Sequence, residues 1–168
     1  PGVFVEEVEH AIVQGLRPLR IFRSSACMKP ARELEAVLSP FLTDDPVFGR
    51  MNGLQVEDFF DQGKLAVARG QIRCSQGLTL VIGTGASLLA PEADVLVFAD
   101  LARWTIQGRQ RRNEIPNLGA DNHHQRASLK YKRAFFIDWR AADRLKKKRF
   151  PRIDYLLDTN DRDDPKLI

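Results

Sequence analysis

Two short apolar runs constrain this chain most. Leu78–Ile82, in LTLVIGTG, ends at Gly83-Thr84-Gly85, and Val95–Phe98, in DVLVFADL, ends just before Asp100. Both are apolar on nearly every residue, which does not suit a strand with one wet face; they predict strands covered on both sides. Segments with helical spacing stand between such runs. Val5, Val8, Ile12 and Leu16 recur at three- and four-residue steps, and Leu34, Val37, Leu38 and Phe41 do so between Pro30 and Pro40. LRIFR after Pro18, RAFFIDW (133–139) and RIDYLLDTN (152–160) add three more predicted strands. Further helices are predicted around Glu57–Phe60, near Lys64, over ARWTIQGRQRRN (102–113) and over RAADRLKKKR (140–149). Gly108 weakens the third of these by roughly 1 kcal/mol relative to alanine. TDDPVFGRMNG (43–53) and NEIPNLGADNHHQRAS (113–128) read as loops. Strands alternating with helices predict an α/β domain over residues 1–160, with a mostly parallel sheet and helices on both faces. Residues 161–168 read as a polar tail or linker.

Length and composition fit that domain. The chain has 168 residues, 43% hydrophobic and 29% charged, enough for one sizeable core. No apolar run approaches the ~20 residues of a membrane span. Cys27 and Cys74 have no metal-like spacing, and no secretory signal pattern is present, so a reduced, cytoplasmic setting is expected. The opening PGVFVEE leads straight into a helix, and residues upstream of Pro1 are expected. The net charge of +4 is unevenly spread. Asp100–Arg152 holds 15 Lys+Arg against 5 Asp+Glu, a balance of +10, and the remaining residues hold 11 against 17. Such a basic stretch favours an anionic partner without identifying it.

In open α/β sheets, ligands bind beyond the carboxyl ends of the strands. That singles out Gly83-Thr84-Gly85, Asp100 and Asp138. The glycine turn lacks the G-x-G-x-x-G pattern, because Leu88 stands at the third glycine, and it reads either as a phosphate cradle or as a tight turn. No G-x-x-x-x-G-K-[ST] loop occurs. Asp100 reads either as a ligand to Mg²⁺ or water near a phosphate, or as the N-cap of the next helix. Arg103, Arg109, Arg111 and Arg112 follow, without a lysine. They suit a lid whose guanidinium forks grip phosphate, and they equally suit a solvated helix. Lys130, Lys132 and Arg133 precede the predicted strand RAFFIDW. The run Arg144–Arg149 reads as favourable charge at a helix C-terminus. His123 and His124 lack the i, i+4 spacing of a chelating pair and read as a solvated loop; no zinc site is visible. No base-stacking motif accompanies the basic stretch, which disfavours nucleic acid as partner.

SPFLTDDPVFGR…EDFF, VLVFADL…IQGRQRRNEIPNLGA, YKRAFFIDW and PRIDYLLDTNDRDDP together resemble the N-terminal, kinase-like domain that precedes the isomerase domain in a bacterial group of class I mannose-6-phosphate isomerases. The resemblance covers most of the chain. The family's IQ-x-R-x-R falls on Ile106, Gln107, Arg109 and Arg111, its NLGA on Asn117–Ala120, and its YKR…F-x-DW on Tyr131, Lys132, Arg133, Phe136, Asp138 and Trp139. Arg112 and Asn113 depart from the small residues expected there, and IFRSSACM lacks the family's acidic residue. The resemblance implies a P-loop-kinase-like three-layer sandwich whose first strand lies ahead of Gly2. It implies a phosphate- or nucleotide-binding set of Gly2, Gly83, Thr84, Gly85, Asp100, Arg103, Arg109, Arg111, Lys132, Arg133 and Asp138, with Mg-nucleotide as a possible ligand. It also implies a downstream zinc-bearing cupin domain of the same protein that interconverts mannose 6-phosphate and fructose 6-phosphate. Two rival readings are a sugar or nucleoside phosphotransferase and a basic nucleic-acid-binding domain. The first is weakened because Gly2 is not followed by the Lys-Ser/Thr pair of a phosphate loop. No catalytic residue is assigned.

Overall fold

The computed structural model describes residues 1–168. Helix α1 (Val5–Leu16) leads to strand β1 (Arg20–Arg23), a 3-10 turn (Ser24–Cys27) and α2 (Ala31–Leu42). A second 3-10 turn (Val56–Phe59), α3 (Gln62–Arg73), β2 (Thr79–Ile82) and the single-turn α4 (Ala86–Leu89) follow. Then come β3 (Val97–Asp100), α5 (Arg103–Arg111), α6 (Ala127–Arg133), a π-helical turn (Ala134–Asp138), α7 (Trp139–Arg149), β4 (Tyr155–Asp158) and β5 (Lys166–Leu167). No helix is long and apolar enough to cross a membrane.

The fold is α/β, and its strands form two small sheets instead of one. β1 pairs with β2 in parallel, Arg20 opposite Thr79 through Arg23 opposite Ile82. β3 pairs with β4 in parallel, Val97 opposite Tyr155 through Asp100 opposite Asp158. β5 adds an antiparallel edge to β4. The predicted cover on both faces is incomplete: all four β2 residues are half-buried, and Val97 is exposed.

RAFFIDW is helical, not a strand. α6, the π turn and α7 run without a break from Ala127 to Arg149. A short apolar run cannot by itself distinguish a strand from a buried helical turn. Here helix-forming neighbours on both sides carry the segment, and one extra residue per turn marks the π-helical stretch. The predicted tail also folds back. Besides β5, Arg162 forms a bidentate ion pair with Glu7 in the first turn of α1.

The larger core joins α2, α3, α4 and the π turn through Leu34, Leu38, Phe59, Leu65, Leu88 and Ile137. The predicted stripe on α2 is present: Leu34 and Leu38 are fully buried, with Val37 and Phe41 packed beside them. Pro40 falls in the last turn of α2, where it removes one bond and the helix ends two residues later. A second core gathers Leu101, Ile106, Ile115, Ala134 and Trp139, and Val3 and Phe4 pack onto it from the start of the chain.

Candidate functional site

Three of the residues singled out by sequence meet at the start of α1. Arg109 is only 3% exposed. Its Nη1 donates to Gly2 O at 2.7 Å, and its Nη2 donates to Thr159 O at 2.8 Å, just beyond β4. Thr159 donates its N–H and its hydroxyl to Asp100 O at the end of β3, both at 2.9 Å. One guanidinium therefore fixes the entry to α1 against the carboxyl ends of β3 and β4. Gly2 has φ +97°, and a Cβ there would stand 2.9 Å from Ile106, so the close approach to α5 needs glycine. The aromatic ring of Phe4 lies between two cations, with Arg109 at 4.3 Å and Arg162 at 4.6 Å from its centroid.

Asp100 does not cap α5. Ala102 is the N-cap position, and Asn160 Oδ1 accepts the Ala102 N–H at 2.7 Å and the Thr105 hydroxyl at 2.9 Å. The Asp100 carboxylate is instead ion-paired with Lys146 of α7. Both partners are about a third exposed, so the pair adds little stability. Lys146→Ala is expected to cost under about 1 kcal/mol in thermal unfolding, leaving Asp100 open to functional tests in a folded protein.

Asp138 closes the π turn at 1% exposure, not the end of a strand. Its Oδ2 accepts from Asn117 Nδ2 at 2.7 Å and from Leu118 N at 3.2 Å. Its Oδ1 lies 3.5 Å from Arg133 Nε, an ion pair without a formed hydrogen bond, and both atoms are buried and otherwise unpartnered. Arg133 donates through Nη2 to Leu118 O at 2.6 Å. Burial raises the Asp138 carboxyl above its ordinary value, against the lowering pull of Arg133 and the Asn117 and Leu118 donors.

The other predicted residues lie apart from this junction. Gly83 and Gly85 have φ +111° and +83°. A Cβ on Gly83 would stand 2.4 Å from Ser24 Oγ, and one on Gly85 would stand 2.9 Å from Phe60. Thr84 O accepts from Ser24 Oγ at 2.9 Å. The turn is thus packed against the Ser24–Cys27 turn and Phe60, leaving little space for an anion on that side. Lys132 donates to the carbonyls of Thr43 (3.2 Å) and Asp45. Arg103 pairs with Asp143 at 2.5 Å and lies over the Trp139 ring. Arg111 lies over the exposed Trp104 ring at 5.4 Å.

Much of the basic stretch binds the fold's own carbonyls. Lys130 is fully buried and reaches Asn113 Oδ1 and His123 O, Arg144 grips Leu54 O, and Arg149 reaches Ser87 O. The run Arg144–Arg149 is therefore not merely charge at a helix end. Sequence reasoning missed Asn160, Thr159, Lys146 and Arg162, which join the junction from the segment after β4 and from α7. The D-T-N sequence at the carboxyl end of the predicted strand RIDYLLDTN was the available signal.

No group of three or more His, Cys, Asp and Glu stands close enough to hold a metal ion. A magnesium ion arriving with a nucleotide would be held by its phosphates and by the Asp100 carboxylate, which Lys146 already engages. No curated protein and no solved structure matches the chain. A family model matches residues 1–168, and the chain belongs to that family, described as a domain of unknown function (DUF8485).

Proposed function

We propose that this is a kinase-like accessory domain that binds a phosphorylated small molecule or nucleotide at the entry to α1. The observation that carries this reading is the Arg109 clamp, which sets the N-terminus of a twelve-residue helix beside the carboxyl ends of two parallel strands. Free N–H groups and the helix dipole favour an anion there, and α/β sheets bind ligands at that end. No side chain caps α1. The first turn of α1 carries Glu6 and Glu7, and Arg162 neutralises Glu7, which would otherwise repel an anion there. No lysine follows Gly2 to reach a transferred phosphate, which favours binding over phosphoryl transfer.

The finer architecture in this reading is a P-loop-kinase-like three-layer sandwich. Its support is that β2 and β3 each pair on one edge only, although both are apolar strands. A further parallel strand paired to both free edges would join the two small sheets into one. The wider proposal follows from the sequence resemblance: the domain serves a mannose-6-phosphate isomerase-type protein whose separate, zinc-bearing cupin domain carries the isomerisation.

Calorimetric titration with inorganic phosphate, ADP, ATP and mannose 6-phosphate tests the site. At least one ligand is expected to bind, and Arg162→Ala is expected to weaken it about tenfold, since a charge-assisted contact contributes about 1.5–3 kcal/mol. Arg162 is exposed, so the variant should remain folded. Unchanged affinity would move the ligand away from α1. Absence of binding by all four ligands at millimolar concentration would remove the phosphate-binding reading itself.

A further inference from the structure

The loop between α2 and the Val56–Phe59 turn is held firmly, yet it turns its apolar residues outward. Lys132 binds the carbonyls of Thr43 and Asp45, and Arg144 binds those of Asn52 and Leu54. Asn52 Nδ2 donates to Phe136 O at 3.0 Å, and Arg50 N donates to Phe41 O at 2.7 Å. The Asp45 carboxylate accepts the N–H groups of Val47 and Phe48, and the Thr43 hydroxyl donates to Phe48 O. Gly49 fits so closely that a Cβ would meet Phe136 at 2.9 Å and Phe41 O at 2.8 Å. Ordering a loop costs conformational entropy, normally offset by burying its apolar side chains. Here Val47, Phe48 and Met51 remain 62%, 67% and 62% exposed. A rigid loop with an apolar tip is preorganised to bind, because the ordering cost is met before association.

A surface of matching chemistry lies elsewhere on the same chain. β1, the Ser24–Cys27 turn and α3 border an open groove of ≈ 620 Å³, floored by Ile21, Phe22, Ala26 and Leu89, with the exposed Val67 and Lys64 on its α3 side. Lys64 makes no ion pair, whereas Arg23 across the groove is already neutralised by Glu9. Beside the tip, the exposed Asp44 makes no ion pair and no side-chain hydrogen bond. An apolar tip flanked by a free acid thus complements an apolar groove flanked by a free base.

We propose that the 43–51 loop of one copy docks into the β1–α3 groove of a second copy, with Phe48 as the anchor and Asp44 facing Lys64. Two different patches meet, so the contact is heterologous and each pair of copies keeps one free tip and one free groove for further copies. One loop tip in one groove is a small contact beside the ~800 Å² per partner of a standard interface, so weak association is expected, on the order of 10–100 μM.

Sedimentation equilibrium of the full chain over 5–500 μM tests this. The wild type is expected to grow beyond a dimer with concentration. Phe48→Asp and Val67→Asp each abolish growth, with circular dichroism confirming that both remain folded. Mixing the two variants is the decisive measurement, because one retains a groove and the other a tip: a heterodimer that stops at two copies is expected. The exchange Asp44→Lys with Lys64→Asp restores the association that either change alone weakens at least tenfold. A wild type that stays monomeric at 500 μM overturns the proposal, as do association that survives Phe48→Asp and a mixture that forms no heterodimer. A tip that binds only a different protein would appear as the first of these results.

Discussion

Arg109→Ala is expected to lower the stability of the chain by about 3–6 kcal/mol, the loss of two hydrogen bonds from a charged donor at about 1.5–3 kcal/mol each. Arg109 is enclosed, and its fork joins Gly2 O to Thr159 O. Truncation leaves two carbonyls with their acceptor capacity unfilled and removes the cation from the Phe4 ring. At 2–4 °C per kcal/mol for a chain of this size, thermal unfolding should shift down by roughly 6–24 °C. Arg109→Lys should recover only part of this, because an ammonium lacks the planar fork that reaches both carbonyls while stacking on a ring. Arg111→Ala is the control. Its guanidinium lies on the surface against Trp104, and its loss should cost within about 0.5 kcal/mol. Equal shifts for the two variants, measured by circular dichroism, would show that Arg109 is not the clamp described above.

The contrast between these arginines shows what the sequence can carry. IQGRQRR displays several guanidinium groups on one short helix, and the pattern contains nothing that separates a buried one from an exposed one. Burial was set by a contact more than a hundred residues away in sequence, Arg109 to Gly2 O, which no local periodicity encodes. Helices α1 and α2 were legible from their apolar spacing and, for α2, its prolines, and α3, α5 and α7 stand where helices are predicted. Strands β1 to β4 were legible as apolar runs, but their partition into two sheets was not, since pairing is a long-range property. RAFFIDW failed for a different reason. Its alternation of size and its aromatic content suit a strand, yet Ala134 and Ile137 are buried on a helical surface, with Trp139 one residue beyond the π turn. Asp138, expected at the end of a strand, closes a π-helical turn instead. Lys132 shows the same limit: a cation expected to meet a ligand binds the carbonyls of the 43–45 loop.

Asp138 supplies the second large effect, and its sign depends on pH. Asp138→Leu strands the Asn117 amide, the Leu118 N–H and the half-buried Arg133 without their acceptor, and is expected to cost about 3–5 kcal/mol, as for other broken buried pairs. Asp138→Asn keeps the shape and removes the titration. Burial is the leading cause that raises the carboxyl above its ordinary 3.8, outweighing Arg133 and the two hydrogen bonds. A folded-state pKa above the unfolded one means that the folded chain holds the proton more tightly. The stability contributed by this group is then fully present below the unfolded value of about 3.9 and is lost as pH rises through the folded value. The advantage of the wild type over Asp138→Asn should therefore be greatest near pH 4 and shrink towards neutrality. Urea unfolding of both proteins at half-unit steps from pH 4 to pH 8 measures that difference directly. An advantage that grows with pH would mean that Arg133 and the Asn117 and Leu118 donors outweigh burial, and that Asp138 works in the fold as a charged carboxylate.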